Sequence, residues 1–78
     1  MAETRRLSEL KPGEKGKVVK VGGSGAIHRR ILDMGVVPGA EIEVERVAPL
    51  GDPVEFKLLG YHLSLRREEA RNVYVEVS

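Results

Sequence analysis

The sequence predicts a mainly β fold: a small, strongly bent antiparallel β-barrel carrying one inserted α-helix and one or two short helical turns. Three observations lead there. Five short segments, at 16–21, 41–47, 54–59, 61–65 and 73–77, alternate apolar and polar residues with the period of a half-buried strand. Only one stretch, 26–34, repeats its apolar residues at helical spacing. A chain of 78 residues is also too short for a two-sheet sandwich, so curling the sheet on itself is the direct way to remove open edges.

The elements follow in order. The chain reads as one domain over 1–78, with its core at about 7–77. LSEL, 7–10, is one helical turn, with Ser8 placed to cap it. Pro12-Gly13 then turns the chain into the strand GKVVKV. The helix AIHRRILDM has Ser24 at its N-cap and Ile27, Ile31 and Met34 on one stripe, with Ile27, Ile31 and Leu32 expected in the core. Gly35 stands where a helix stops in the left-handed conformation, which glycine reaches without a Cβ penalty. Pro38-Gly39 fits the two central positions of a type II turn, proline presetting φ and glycine supplying φ > 0. In EIEVERV, Ile42, Val44 and by parity Arg46 face one way, while Glu41, Glu43 and Glu45 make an acidic outer face. APLGDP is a hairpin loop. Val54, Phe56 and Leu58 share a face, Gly60 marks a kink, a bulge or the tip of a tight turn, and Tyr61, Leu63 and Leu65 share the next face. RREEARN, 66–72, is a polar helical turn before the last strand, which points Val73, Val75 and Val77 inward.

Composition excludes several classes of function. There is no cysteine, so disulfides, thiolate metal sites and cysteine nucleophiles are out. Basic and acidic residues number 13 and 12, for a net charge of +1, which gives no global attraction to nucleic acid or an anionic membrane. No apolar run approaches the ~18 residues of a spanning helix, and MAETRR lacks the apolar region of a secretory signal. The expected compartment is cytoplasmic.

The polar residues do not assemble a catalytic pattern, so no enzyme is expected. Gly22-Gly23-Ser24-Gly25 precedes a helix but lacks the lysine and hydroxyl of a phosphate loop, and reads as a flexible lead into the helix. His28 and His62 are the only imidazoles and show no metal-ligand spacing; His62 alternates out to solvent and His28 stands beside arginines. No resident cofactor follows, although weak binding of Fe²⁺ or another divalent transition metal stays open. Arg29 and Arg30 lie beside the apolar stripe, with Asp33 as their helical partner.

One ordered set of motifs is specific. It runs Leu7-Ser8-Glu9-Leu10-Lys11-Pro12-Gly13, Gly23-Ser24-Gly25, Arg29-Arg30-Ile31-Leu32-Asp33-Met34-Gly35, Val37-Pro38-Gly39, Asp52-Pro53 and Gly60-Tyr61-His62-Leu63-Ser64-Leu65-Arg66. This series resembles the FeoA family, small accessory proteins of bacterial ferrous-iron transport, over about residues 7–77. The resemblance implies an SH3-like barrel, similar to the C-terminal module of DtxR-type repressors. It also implies a regulatory role through protein–protein binding to a FeoB-type membrane transporter, at its cytosolic G-domain or its membrane-embedded part. The residues put forward for that contact are Arg29 and Arg30, as a basic face, with Met34, Val36, Val37 and Leu50 as an apolar patch at a helix end and in loops. Two other readings compete: a small nucleic-acid-binding β-barrel, short here of aromatics and of net charge, and a stand-alone repressor-type regulatory domain. The exposed strands also permit a homodimer.

Overall fold

The computed structural model describes residues 3–77. Its elements are β1 (Glu3–Arg6), a 3₁₀ turn (Leu7–Glu9), β2 (Lys15–Val21), α1 (Gly25–Asp33), β3 (Glu41–Val47), β4 (Val54–Leu58), β5 (Tyr61–Leu65), α2 (Arg67–Ala70) and β6 (Val73–Val77). The strands form one antiparallel sheet in the order β1-β6-β2-β3-β4-β5. β1 and β5 stand at the two ends of that order. The barrel expected from the sequence is thus not closed by a strand ladder among the described residues; the 3₁₀ turn packs against α2, and α2 against β5, across the gap.

The inner face is a continuous apolar layer. Ile42 and Val44 of β3, Val54, Phe56 and Leu58 of β4, Leu65 of β5, and Val73 and Val75 of β6 are buried as their period predicts, whereas Val18 and Val21 of β2, three residues apart, are both buried because the register shifts between Val18 and Lys20. Leu7, Leu10, Ile31, Val36 and Ala70 seal it from the helical side. Burying such side chains stabilises by about 1.5–3 kcal/mol each before chain entropy is counted.

The turns are built as the sequence implies. Glu14 N–H donates to Lys11 O (2.9 Å) around Pro12-Gly13, and Ala40 N–H donates to Val37 O (3.0 Å) around Pro38-Gly39. Gly13 and Gly39 have φ of 91° and 96°, the left-handed value a type II turn demands. Helix α1 ends in a Schellman motif at Gly35 (φ 93°): Val36 N–H reaches back to Ile31 O and Gly35 N–H to Leu32 O.

Several expectations need correction. β1 was not foreseen, because ETRR has no apolar alternation; it is held by its ladder to β6. Arg46 does not face inward. Between Val44 and Arg46 the register slips by one residue, so Arg46 lies opposite Glu55 on the outer face and Val47 returns to Val54. The outer face is not acidic either: Glu43 lies between Lys15 and Lys57, and Lys17 between Glu41 and Glu76. Of the readings given for Gly60, the tight turn is the one the structure shows; the β4–β5 connection is a two-residue type I′ hairpin that takes in Leu59 as well as Gly60, both at positive φ (51° and 86°). Leu59 is therefore outside the strand, and Tyr61, inward by parity, is exposed. Ser8 does not cap the first turn. Glutamates do that work instead, each accepting from the backbone N–H three residues earlier: Glu9 from Arg6, Glu14 from Lys11 and Glu69 from Arg66. Ser24 occupies the N-cap of α1 without a side-chain bond. The first glycine of the lead into α1 is anchored: Gly22 N–H donates to Asn72 O (2.6 Å), and His28 Nδ1 donates to Gly22 O (3.1 Å).

Candidate functional site

The residues put forward for partner binding fall into three places. Arg29, Arg30 and Met34 come together on the outer side of α1, where with Gly25, Ala26 and Asp33 they line a shallow concavity. Helical spacing brings them there: positions 26, 29, 30 and 33 share the face opposite Ile31, the fully buried residue of the helix. Met34 is half-buried and packs on the core, offering a soft apolar element to the lining beside Arg30, one helical turn before it. Val37, in the turn that follows α1, is 41% exposed but does not line this concavity. Leu50 stands on the β3–β4 hairpin and is 95% exposed.

Val36 does not belong to this surface. It is fully buried, and the Schellman motif explains why: the residue after the left-handed glycine packs its apolar side chain back on the last helical turn, here onto Ile31. The ion pairing also differs from expectation. Arg30 Nε pairs with Glu69 Oε2 of α2 at 3.2 Å, not with Asp33. Among the described residues Asp33 makes no ion pair within 4.0 Å, and Arg29 makes none. Arg29 is thus an exposed guanidinium without an ion-pair partner among the described residues.

Glu69 is the residue whose importance the sequence understates. Read as one of several surface charges, it is buried, with a side chain only 7% exposed. One carboxylate oxygen accepts from Arg66 N–H (3.0 Å) and the other faces Arg30. A carboxylate can be buried at tolerable cost only when both oxygens are satisfied in this way. The available signal was the spacing Arg66-x-x-Glu69 ahead of a helical turn, the glutamate half of a capping box. Asp52 was missed for a different reason. Its Oδ1 accepts from Arg67 N–H at 2.9 Å, tying the Leu50 hairpin to the start of α2, and nothing local in the sequence marks a contact between residues 15 apart. Through Asp52, Glu69 and Arg30 the hairpin, α2 and α1 are joined in one series of charge-assisted contacts.

The histidines do not build a metal centre. His62 Nδ1 lies 2.6 Å from Glu45 Oε1 on the exposed outer face, and His28 is committed to the Gly22 carbonyl. Among the described residues no group of three or more His, Cys, Asp or Glu side chains gathers as metal ligands. Beside His62, Arg46 donates to Glu55 Oε2 (2.7 Å); this hydrogen bond first, and the carboxylate charge second, raise Arg46 above its ordinary pKa. Of the three aromatic residues Phe56 is buried, Tyr61 is 70% exposed, and the Tyr74 ring has Arg6 and Lys20 each 5.7 Å from its centre. Among the described residues no helix is long and apolar enough to cross a membrane.

Comparison with known proteins fits this picture. The FeoA domain model matches residues 5–77. The chain is 47% identical over 72 residues to the Fe(2+) transport protein A/Fe(2+) transporter FeoB fusion protein of Porphyromonas gingivalis. That match covers 92% of this chain but only 8% of the fusion protein. Among solved structures, a FeoA-like protein from Clostridium acetobutylicum superposes with a TM-score of 0.89 at 43% identity, covering 99% of this chain and 90% of the other. FeoA from Stenotrophomonas maltophilia, solved in complex with zinc and described as a procaryotic SH3 domain protein, gives 0.76 at 32% identity, with 88% and 86% covered. A six-stranded bent sheet, helix α1 inserted after β2, and a family match across nearly every described residue place this chain in the FeoA domain family, which is linked to ferrous-iron transport.

Proposed function

We propose that this chain is a non-catalytic accessory module of ferrous-iron transport, acting in the cytoplasm by docking on a FeoB-type transporter. The single observation that carries this reading is the relative in which the same domain is joined to the transporter in one polypeptide. Tethering raises the effective concentration of a docking domain at its target, so a domain found joined to a protein is a strong candidate to bind it. The docking face in this reading is the outer side of α1, with Arg29, Arg30 and Met34, and the exposed Val37 and Leu50 are separate apolar contacts for the same partner. Its chemistry suits a surface that offers carboxylates around an apolar side chain, because guanidinium groups bind carboxylates in a fixed fork geometry. Nothing in the reading needs a resident metal ion or a nucleic acid.

The test is a ¹⁵N–¹H correlation spectrum recorded while the transporter's cytosolic G-domain is added, with and without a GTP analogue. Shifts confined to α1, residues 34–37 and Leu50 are expected. A spectrum unchanged up to millimolar partner would end the direct-docking reading for that domain. Shifts localised on β2, β3 and β4 instead would keep the partner and discard the face.

A further inference from the structure

The two ends of the sheet are guarded unequally. β1 carries Glu3, Thr4, Arg5 and Arg6, so its free edge is lined with charge, a common way of preventing edge-to-edge pairing. β5 reads Tyr61-His62-Leu63-Ser64-Leu65, with no lysine, arginine, carboxylate or proline. Its ladder is to β4, and among the described residues no strand pairs with its other side; α2 follows directly and packs at the Leu65 end, while Tyr61, His62 and Ser64 stay exposed.

The hairpin geometry says which groups that edge presents. The two-residue turn Leu59-Gly60, with both φ angles positive, makes Leu58 and Tyr61 the hydrogen-bonded pair beside the turn. Alternation then places Phe56 with Leu63 and Val54 with Leu65 in the same state. The N–H and C=O groups of His62 and Ser64 therefore point away from β4, toward the open edge, and both residues are exposed. On the inner side the apolar layer runs out at this strand: Leu63 is only half-buried and Tyr61 is 70% exposed, although both have the inward parity.

We propose that β5 pairs antiparallel with β5 of a second copy of this chain, about a twofold axis at Leu63. In that register His62 lies opposite Ser64 of the second copy, Leu63 opposite Leu63, and Tyr61 opposite Leu65. The outward groups of His62 and Ser64 become hydrogen-bonded pairs, each exchanging both of its N–H···O bonds. The strand is self-complementary for this arrangement, since apolar and polar residues are disposed symmetrically about Leu63. The second copy also covers Tyr61 and Leu63 where the chain's own sheet ends. A contact built on one five-residue strand is small beside the roughly 1,200–2,000 Å² of stable interfaces, so the dimer is weak and forms only at high protein concentration, from about 0.1 mM upward in the test below. It leaves the outer side of α1 free and stands or falls independently of the transporter reading.

Sedimentation equilibrium across that concentration range, paired with amide shifts and exchange rates, tests the proposal. The wild-type mass should rise toward that of a dimer, with His62 and Ser64 amides shifting and becoming protected as it does. Ser64→Pro removes an outward N–H while sparing the β4–β5 ladder, and Tyr61→Lys puts a charge at an already exposed position. Each should weaken association at least tenfold. If Ser64→Pro fails to fold, Tyr61→Lys carries the test alone, because its side chain contributes little to the monomer core. A wild type that stays monomeric throughout overturns the proposal. So does a dimer that Tyr61→Lys leaves intact, or one whose shifts lie away from β5.

Discussion

The two helices of this small domain are held in opposite ways. α1 is nine residues long, yet Ile31 is the residue it buries fully. α2 is four residues long, yet Glu69 and Ala70 are both buried. The longer helix lies on the sheet and presents a face; the shorter one is built into the gap between the two ends of the sheet. A helix held by one fully buried side chain, by the half-buried Ile27 and Leu32 and by one ion pair can display arginines on its other side without upsetting the core. A helix that seals the sheet cannot be disturbed without exposing it. The difference assigns presentation to α1 and closure to α2, and the Arg30–Glu69 contact couples them.

The largest expected effect breaks the packing of α1. Ile31→Ala should destabilise the domain by about 2–4 kcal/mol, from lost transfer energy and the cavity left behind. In a domain this small that is a large fraction of the total. Urea denaturation followed by circular dichroism measures it. A loss below about 1 kcal/mol would mean that α1 is held chiefly by something other than Ile31.

Closure by α2 comes second. Glu69→Ala removes the acceptor for Arg66 N–H and the partner of Arg30, and should cost about 1–3 kcal/mol. Glu69→Gln keeps a neutral acceptor and removes the charge, so its cost should be smaller. Arg30 is itself substantially exposed, which discounts the ionic part. Equal losses in the two variants would show that the ion pair, not the cap, supplies the stability.

A smaller effect concerns the turn that leads out of α1. Gly39 has a φ of 96°, and an added Cβ would meet nothing within 4 Å. Gly39→Ala should therefore cost about 1 kcal/mol through backbone strain alone. Thermal melts of the pair would show a change of a few degrees. A much larger loss would mean that the strand β3 loses its register as well.

Much of this was legible before any coordinates. Period-2 alternation located β2 to β6, and Pro-Gly pairs located the turns, because both signals are local and have single physical causes. Val36 was legible in principle, since an apolar residue after a helix-ending glycine has a known place to pack. What resisted reading was set by long-range contact. The ladder of β1 depends on β6, from the far end of the chain. The slip after Val44 turns Arg46 outward to Glu55 on a neighbouring strand. Glu69 looks like any charge in RREEARN until α1 delivers Arg30 to it. The candidate face was half legible for the same reason: helical spacing gathers Arg29, Arg30 and Met34, while Leu50 is positioned by a hairpin whose anchor, Asp52, acts across the fold.

The smallest effect on stability sharpens the comparison most. Arg29 is exposed and makes no ion pair among the described residues, so Arg29→Ala should change the folding free energy by less than about 0.5 kcal/mol. Arg30→Ala should cost more, because it strands the buried Glu69 carboxylate. The two arginines are neighbours in sequence and line the same concavity, yet one is free to act on a partner and the other is partly committed to the fold. Measured side by side, stability should separate them and partner affinity should not: both substitutions should weaken docking. If Arg29→Ala left transporter binding unchanged while Arg30→Ala reduced it, the outer side of α1 would be no docking face. The loss with Arg30→Ala would then report only a loosened α1.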